Sequence, residues 1–162
     1  MLLNNQPTCF NITLINHFKP FTLINRGELM KKIVLSGSLH FQSELQELAE
    51  NLTEKGYQIL NYPKPTADLS KEFPSLFTHF YKSIEEADIF YLYNHKKNGV
   101  AGSIGAAGFA EATYALCRKL LHNQKIDLVF LEQPDEAVAC FEEIHQWQQN
   151  DWVTIGELPW FK

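Results

Sequence analysis

From Met30 onward, short apolar runs alternate with longer stretches whose apolar positions recur every three or four residues. Residues 32–36 form a continuous apolar, β-branched run, which predicts a buried strand. Gly37 and Ser38 end it. Over residues 40–55, Phe41, Leu45, Leu48, Ala49 and Leu52 keep helical spacing. Residues 57–60 read as a second strand. The polar stretch 61–71, with Pro63 and Pro65, reads as a loop or lid. A helix is predicted over residues 73–86, with Phe73, Leu76, Phe77, Phe80 and Ile84 on one face. Residues 88–93 are the third strand. A glycine-rich loop follows, then a helix with Phe109, Ala112, Ala115, Leu116 and Leu120 on its apolar face. Residues 125–131 supply a fourth strand and residues 134–149 a fourth helix, with Pro134 suited to its first turn. Residues 152–155 form a short fifth strand.

Strict alternation of strand and helix predicts a three-layer α/β sandwich around a mainly parallel five-stranded sheet. The expected strand order is flavodoxin-like, 2-1-3-4-5, with right-handed crossovers. In that order the first and third strands flank the switch point, where ligands bind at the carboxyl edge of the sheet. Two corners then become one cleft. Ser36, Gly37, Ser38 and His40 form one corner, and Asn94, Ser103, Gly105, Gly108 and Glu111 the other. Gly99, Gly102, Gly105 and Gly108 let a ligand approach the backbone, and the helix start offers free N–H groups and a positive dipole end. Glu111 falls in or near the first turn of that helix, where a carboxylate is either a stabilising charge or a catalytic group. The dipole and nearby amides are expected to keep it ionised.

Composition narrows the function. The chain has 162 residues and a net charge of −5, with no block of lysine and arginine, which disfavours nucleic-acid binding. Cys9, Cys117 and Cys140 stand at unrelated spacings, the pattern of reduced thiols in a cytoplasmic protein. No apolar run is long enough to span a membrane. The first loop lacks the G-x-G-x-x-G fingerprint of a dinucleotide site, and the histidines are scattered, so neither a cofactor nor a metal is expected.

Residues 1–29 differ from the rest, with Lys19, Arg26 and Glu28 as their only charged side chains and no clean periodicity. Two readings stand. They form an N-terminal arm that packs Phe10, Ile12, Leu14, Phe18 and Phe21 on the body. Alternatively, Arg26-Gly27-Glu28 reflects a purine-rich ribosome-binding stretch, Met30 is the natural start, and residues 30–162 are the whole domain.

Three segments carry a resemblance: KIVLSGSLHF from Lys32, EEADIFYLYN from Glu85, and GSIGAAGFAEATYAL from Gly102. Together, and in this order, they resemble the nucleoside 2-deoxyribosyltransferase-like family over nearly all of residues 31–157. The likeness is to its compact bacterial members rather than its established transferases. It implies that Glu111 is a nucleophile that attacks the anomeric carbon of a nucleoside or nucleotide and holds the sugar as an ester, as in a retaining glycosidase. It implies substrate contacts from Ser36, Gly37, Ser38, His40, Asn94, Ser103, Gly105 and Gly108. With the aromatic tail, Leu158-Pro159-Trp160-Phe161-Lys162, it favours a homo-oligomer. Active members carry further acids where this chain has Phe80-Tyr81 and the neighbourhood of Gly105. Asp88 falls where the family has a structural acid, and His79 or His95 are the available substitutes for the missing group. The other reading is a non-catalytic nucleotide- or nucleoside-binding module of the same fold.

Overall fold

The computed structural model describes residues 30–156 and 158. Five strands, β1 (Lys32–Gly37), β2 (Gln58–Asn61), β3 (Ile89–Tyr93), β4 (Asp127–Phe130) and β5 (Thr154–Ile155), alternate with four α-helices. The helices are α1 (Gln42–Glu54), α2 (Leu69–Glu86), α3 (Ala106–Leu121) and α4 (Phe141–Gln149). All strand pairs are parallel and the sheet order is β2-β1-β3-β4-β5, the flavodoxin-like order expected. β1 and β3 pair in continuous register from Ile33 opposite Ile89 to Gly37 opposite Tyr93. Their carboxyl ends therefore lie side by side.

Successive side chains of a strand point to opposite faces, and the two cores follow that alternation. Ile33, Leu35, Ile89, Tyr91 and Val129 pack with Leu45, Ala49 and Leu52 of α1. Val34, Phe90, Leu92, Leu128 and Phe130 pack with Ile84 of α2, with Ala112, Ala115 and Leu116 of α3, and with α4. Burial of each large apolar side chain stabilises by ~1.5–3 kcal/mol. So α1 covers one face and α2, α3 and α4 the other. Ser36 stands two residues after Val34 and shares its face, towards α2 and α3. Asp88 ties the start of β3 to β1: its Oδ2 accepts the Lys32 N–H at 2.7 Å.

Several element boundaries differ from the sequence reading, most of all the starts of α2 and α4. α2 begins at Leu69, inside the expected loop, because the Asp68 carboxylate caps it by accepting the Lys71 N–H. Its N-terminal half also fails to bury the expected face: Phe73, Leu76 and Phe77 are exposed. α4 begins at Phe141 instead of Pro134. There Asp135 makes tight turns, its side chain accepting the Ala137 N–H and its carbonyl the Val138 N–H, and Val138 and Cys140 are buried as a result. The fifth strand shrinks to Thr154–Ile155.

Buried Arg118 on α3 donates to the backbone carbonyls of Ile84 and Glu85, at the end of α2. It adds donors at the end of α2, where the Ile84 carbonyl also accepts the Ala87 N–H, and fixes α2 against α3. Among the described residues no helix is long and apolar enough to cross a membrane. Leu158 is buried in the α1-side core. The readings of residues 1–29 and of the tail beyond Leu158 fall outside the described residues.

Candidate active site

Ser36, at the end of β1, is fully buried, and its hydroxyl donates to Glu111 Oε2 at 2.5 Å. Gly108 lies close to that contact. A Cβ there would lie 3.3 Å from Leu92 Cδ1 and 3.8 Å from Ser36 Oγ, so the first turn of α3 rests directly on the sheet. Glu111 follows three residues later and reaches down to Ser36.

The expected ionisation of Glu111 is corrected. The helix starts at Ala106, so Glu111 lies in its second turn, beyond the amides that lack intrahelical acceptors. Burial instead raises its carboxyl from the ordinary 4.5 to about 7, opposed by the Ser36 hydrogen bond. Near neutrality the group therefore exists in both protonation states.

Tyr81 of α2 is the neighbour that the sequence reading did not assign to the site. Burial first, and the Glu111 charge second, push its phenol above the ordinary value. Its ring lies 5.0 Å from Tyr114 and stacks on Phe77 at 4.3 Å. The resemblance leads to the expectation of an acid at Phe80-Tyr81, and a phenol stands there. Among the described residues, no carboxylate and no histidine contributes to the shift of Glu111. His79 is exposed on α2, and His95 pairs with the Glu132 carboxylate.

A cavity of about 580 Å³ opens between the two corners, and neither Ser36 nor Glu111 is part of its lining. Gly37, Ser38, Ser103, Gly105 and Gly108 line it, with Lys97 added. His40 is exposed, edge-on to Phe41, and outside that lining. Asn94 is 1% exposed and commits its polar atoms to the loop. Its amide nitrogen donates to the carbonyls of Gly102 and Glu132, and its oxygen accepts the Glu132 N–H. Glu132 completes the clasp by accepting the Gly102 N–H at 3.0 Å. Gly102 has φ +56, and a Cβ there would be 2.4 Å from the Gln133 carbonyl oxygen. The loop can cross the β4–α4 connection only without a side chain at that point.

The tip of the loop is a two-residue turn. Lys97 and Val100 exchange both backbone hydrogen bonds, and Asn98 and Gly99 have positive φ, as a type I′ turn requires. Lys97 Nζ donates to Ser38 Oγ at 2.9 Å, joining the two corners. The cap of α3, Gly105, provides no side-chain bond, so the amides of Ala106, Ala107 and Gly108 have neither an intrahelical acceptor nor a capping group. Among the described residues there is no group of His, Cys, Asp and Glu arranged to hold a metal ion.

The site thus offers a half-buried carboxyl that titrates near neutrality, a hydroxyl donating to it, a phenol beside it, and a cleft that begins at Gly108, three residues before the carboxyl. Such a carboxyl can add to an electrophilic carbon or exchange a proton. No protein-family model matches the chain, and no curated protein matches it in sequence.

Proposed function

We propose that the protein cleaves the N-glycosidic bond of a nucleoside or nucleotide, by hydrolysis or by transfer of the sugar to another base, with Glu111 as nucleophile. The observation that carries this reading is the Ser36–Glu111 pair: a carboxyl shifted to about 7 and held by a buried hydroxyl. It stands at the carboxyl edge of a parallel sheet, and Gly108, three residues before Glu111, lines a cleft of about 580 Å³. Perturbed carboxyls in clefts concentrate at functional sites. The motif resemblance assigns the same residue the same role.

In the first step the ionised Glu111 forms a bond to the anomeric carbon while the C–N bond breaks. The bonding pair leaves with the base, which takes up a proton from solvent. Water or a second base then attacks the same carbon and releases a proton to solvent, and the carboxylate leaves. Ser36 steadies the carboxylate oxygen that does not attack. Partial desolvation strengthens the attraction between the carboxylate and the developing oxocarbenium charge.

One observation favours a second reading, a binding module without turnover: the acid partner expected opposite Glu111 is replaced by Tyr81. The two are separated by incubating the full chain with deoxynucleosides and their 5′-monophosphates. Free base from the wild type and none from Glu111→Ala supports catalysis. Thermal stabilisation by one ligand without free base supports the binding module.

A further inference from the structure

We infer that the exposed rings of Phe73 and Phe77 on α2 form the wall against which the base of the N-glycoside packs. This rests on the reading above, with Glu111 as nucleophile, and assigns the contacts of the leaving group within it.

The first observation is a column of rings. Phe73 is 55% exposed and Phe77 48%, yet neither ring is isolated. Phe73, Phe77 and Tyr81 recur every four residues and share one face of α2. Ring centroids are 5.8 Å apart for Phe73 and Phe77 and 4.3 Å for Phe77 and Tyr81. Tyr81 in turn meets Tyr114 of α3 at 5.0 Å. The rings therefore run without a break from solvent into the contact between the two helices.

The second observation is where the column ends. Tyr114 follows Glu111 by three residues, on the same face of α3. The Glu111 charge acts on the Tyr81 phenol. The column thus leads to the carboxyl that attacks the anomeric carbon, and the base is attached to that same carbon.

The third observation is the level of the rings. α2 connects two parallel strands and runs back along them, so its first half lies towards the carboxyl edge of the sheet. Asn61, the last residue of β2, donates to Ser83 Oγ at 3.3 Å and sets Ser83 level with the end of that strand. Asn61 stands opposite Val34, and β1 continues past it to Gly37 by about 10 Å. At about 1.5 Å per residue, Phe77 is roughly level with the end of β1, where Ser36 holds Glu111, and Phe73 stands beyond it. On α3, Ala107 and Ala110 share the face of Tyr114, and both are exposed. Large rings on one helix opposite methyl groups on the other leave a slot for a flat ring, closed below by the two tyrosines. Stacking and apolar contact suit such a ring, because every base has a π-face.

The test uses the full chain with deoxynucleosides of the four bases, and 2-deoxyribose as the base-free control. Titration calorimetry measures binding, chromatography measures base release, and sedimentation velocity measures the oligomeric state. Nucleosides should bind more tightly than deoxyribose. Phe77→Ala should weaken nucleoside binding about 5- to 100-fold. It should raise KM by the same factor and change kcat by less than about threefold, the mark of a contact made equally in ground and transition states. Phe73→Ala should act in the same direction, and Phe77→Trp should retain binding. Leu121→Ala, at an exposed apolar residue on the last turn of α3, should change nothing. Both phenylalanines are exposed, so circular dichroism should show the fold intact in every variant. Nucleoside affinity and KM unaltered by Phe77→Ala, or no nucleoside binding by the wild type, would overturn the inference. So would a Phe77→Ala variant that turns a dimer into monomers at unchanged nucleoside affinity, because a second copy of the chain then covers this face. Binding that depends on Phe77 in a protein that releases no base sustains the wall and refutes the reaction at Glu111. Base release that depends on Glu111, at unchanged KM in Phe77→Ala, does the reverse.

Discussion

Replacing Glu111 by Gln keeps the side chain's size and removes its titration. The native carboxyl keeps its proton up to about pH 7, against an ordinary value of 4.5. Between those limits the folded chain binds more protons than the unfolded chain, so stability falls as pH rises through the window. The contribution is fully present below pH 4.5 and is lost once pH passes about 7. The difference between about 7 and 4.5 corresponds to about 3 kcal/mol. Glu111→Gln lacks that pH dependence, so relative to the wild type it should gain about 3 kcal/mol between pH 4.5 and pH 8. Urea unfolding at several pH values measures this directly, with circular dichroism and fluorescence followed together to establish a single transition. At a urea slope of about 1–3 kcal/mol/M, the difference in midpoint between variant and wild type should change by roughly 1–3 M across the range. All other groups are common to the two proteins and cancel in the comparison. Parallel midpoint curves for the two proteins would refute the raised carboxyl and, with it, the burial argument for a reactive Glu111.

Ser36→Ala removes the one hydrogen bond that opposes the upward shift of Glu111, so the ionised form should require a higher pH. Base release should fall severalfold at pH 7 and recover at pH 9, read from the pH–rate profile; an unmoved profile contradicts the pairing. Gly102→Ala should destabilise by about 2–5 kcal/mol in urea unfolding, because it combines a positive φ with a clash against the Gln133 carbonyl. Gly99→Ala, also at positive φ but with open space around its Cβ, should cost only about 1–2 kcal/mol.

Periodicity made the sheet order and the meeting of the two corners legible, because each strand is a compact apolar run and each helix repeats its apolar positions. It failed where short polar side chains override it. Asp68 starts α2 early by capping it, and Asp135 replaces the first turns of α4 with its own. The exposed aromatics at the start of α2 carry the same 3.6-residue signature as a buried face, so pattern alone assigned them to the core. Glu111 was legible as a chemical group, but its ionisation was not. That depends on Ser36, 75 positions away in sequence, and on burial that only the packed helix creates. Lys97 was hidden for a related reason: its loop reads as polar and irregular, and only the Asn98-Gly99 turn directs the ammonium back to Ser38.

The most direct measurement is peptide mass mapping of the full chain, quenched in acid during reaction with deoxynucleosides and their 5′-monophosphates. A Glu111 nucleophile predicts the mass of a deoxyribosyl group, with or without its phosphate, on the peptide containing Glu111, and no such adduct or base release from Glu111→Ala. Base release that persists in Glu111→Ala, or that proceeds in the wild type with the sugar attached to a different residue, would contradict it.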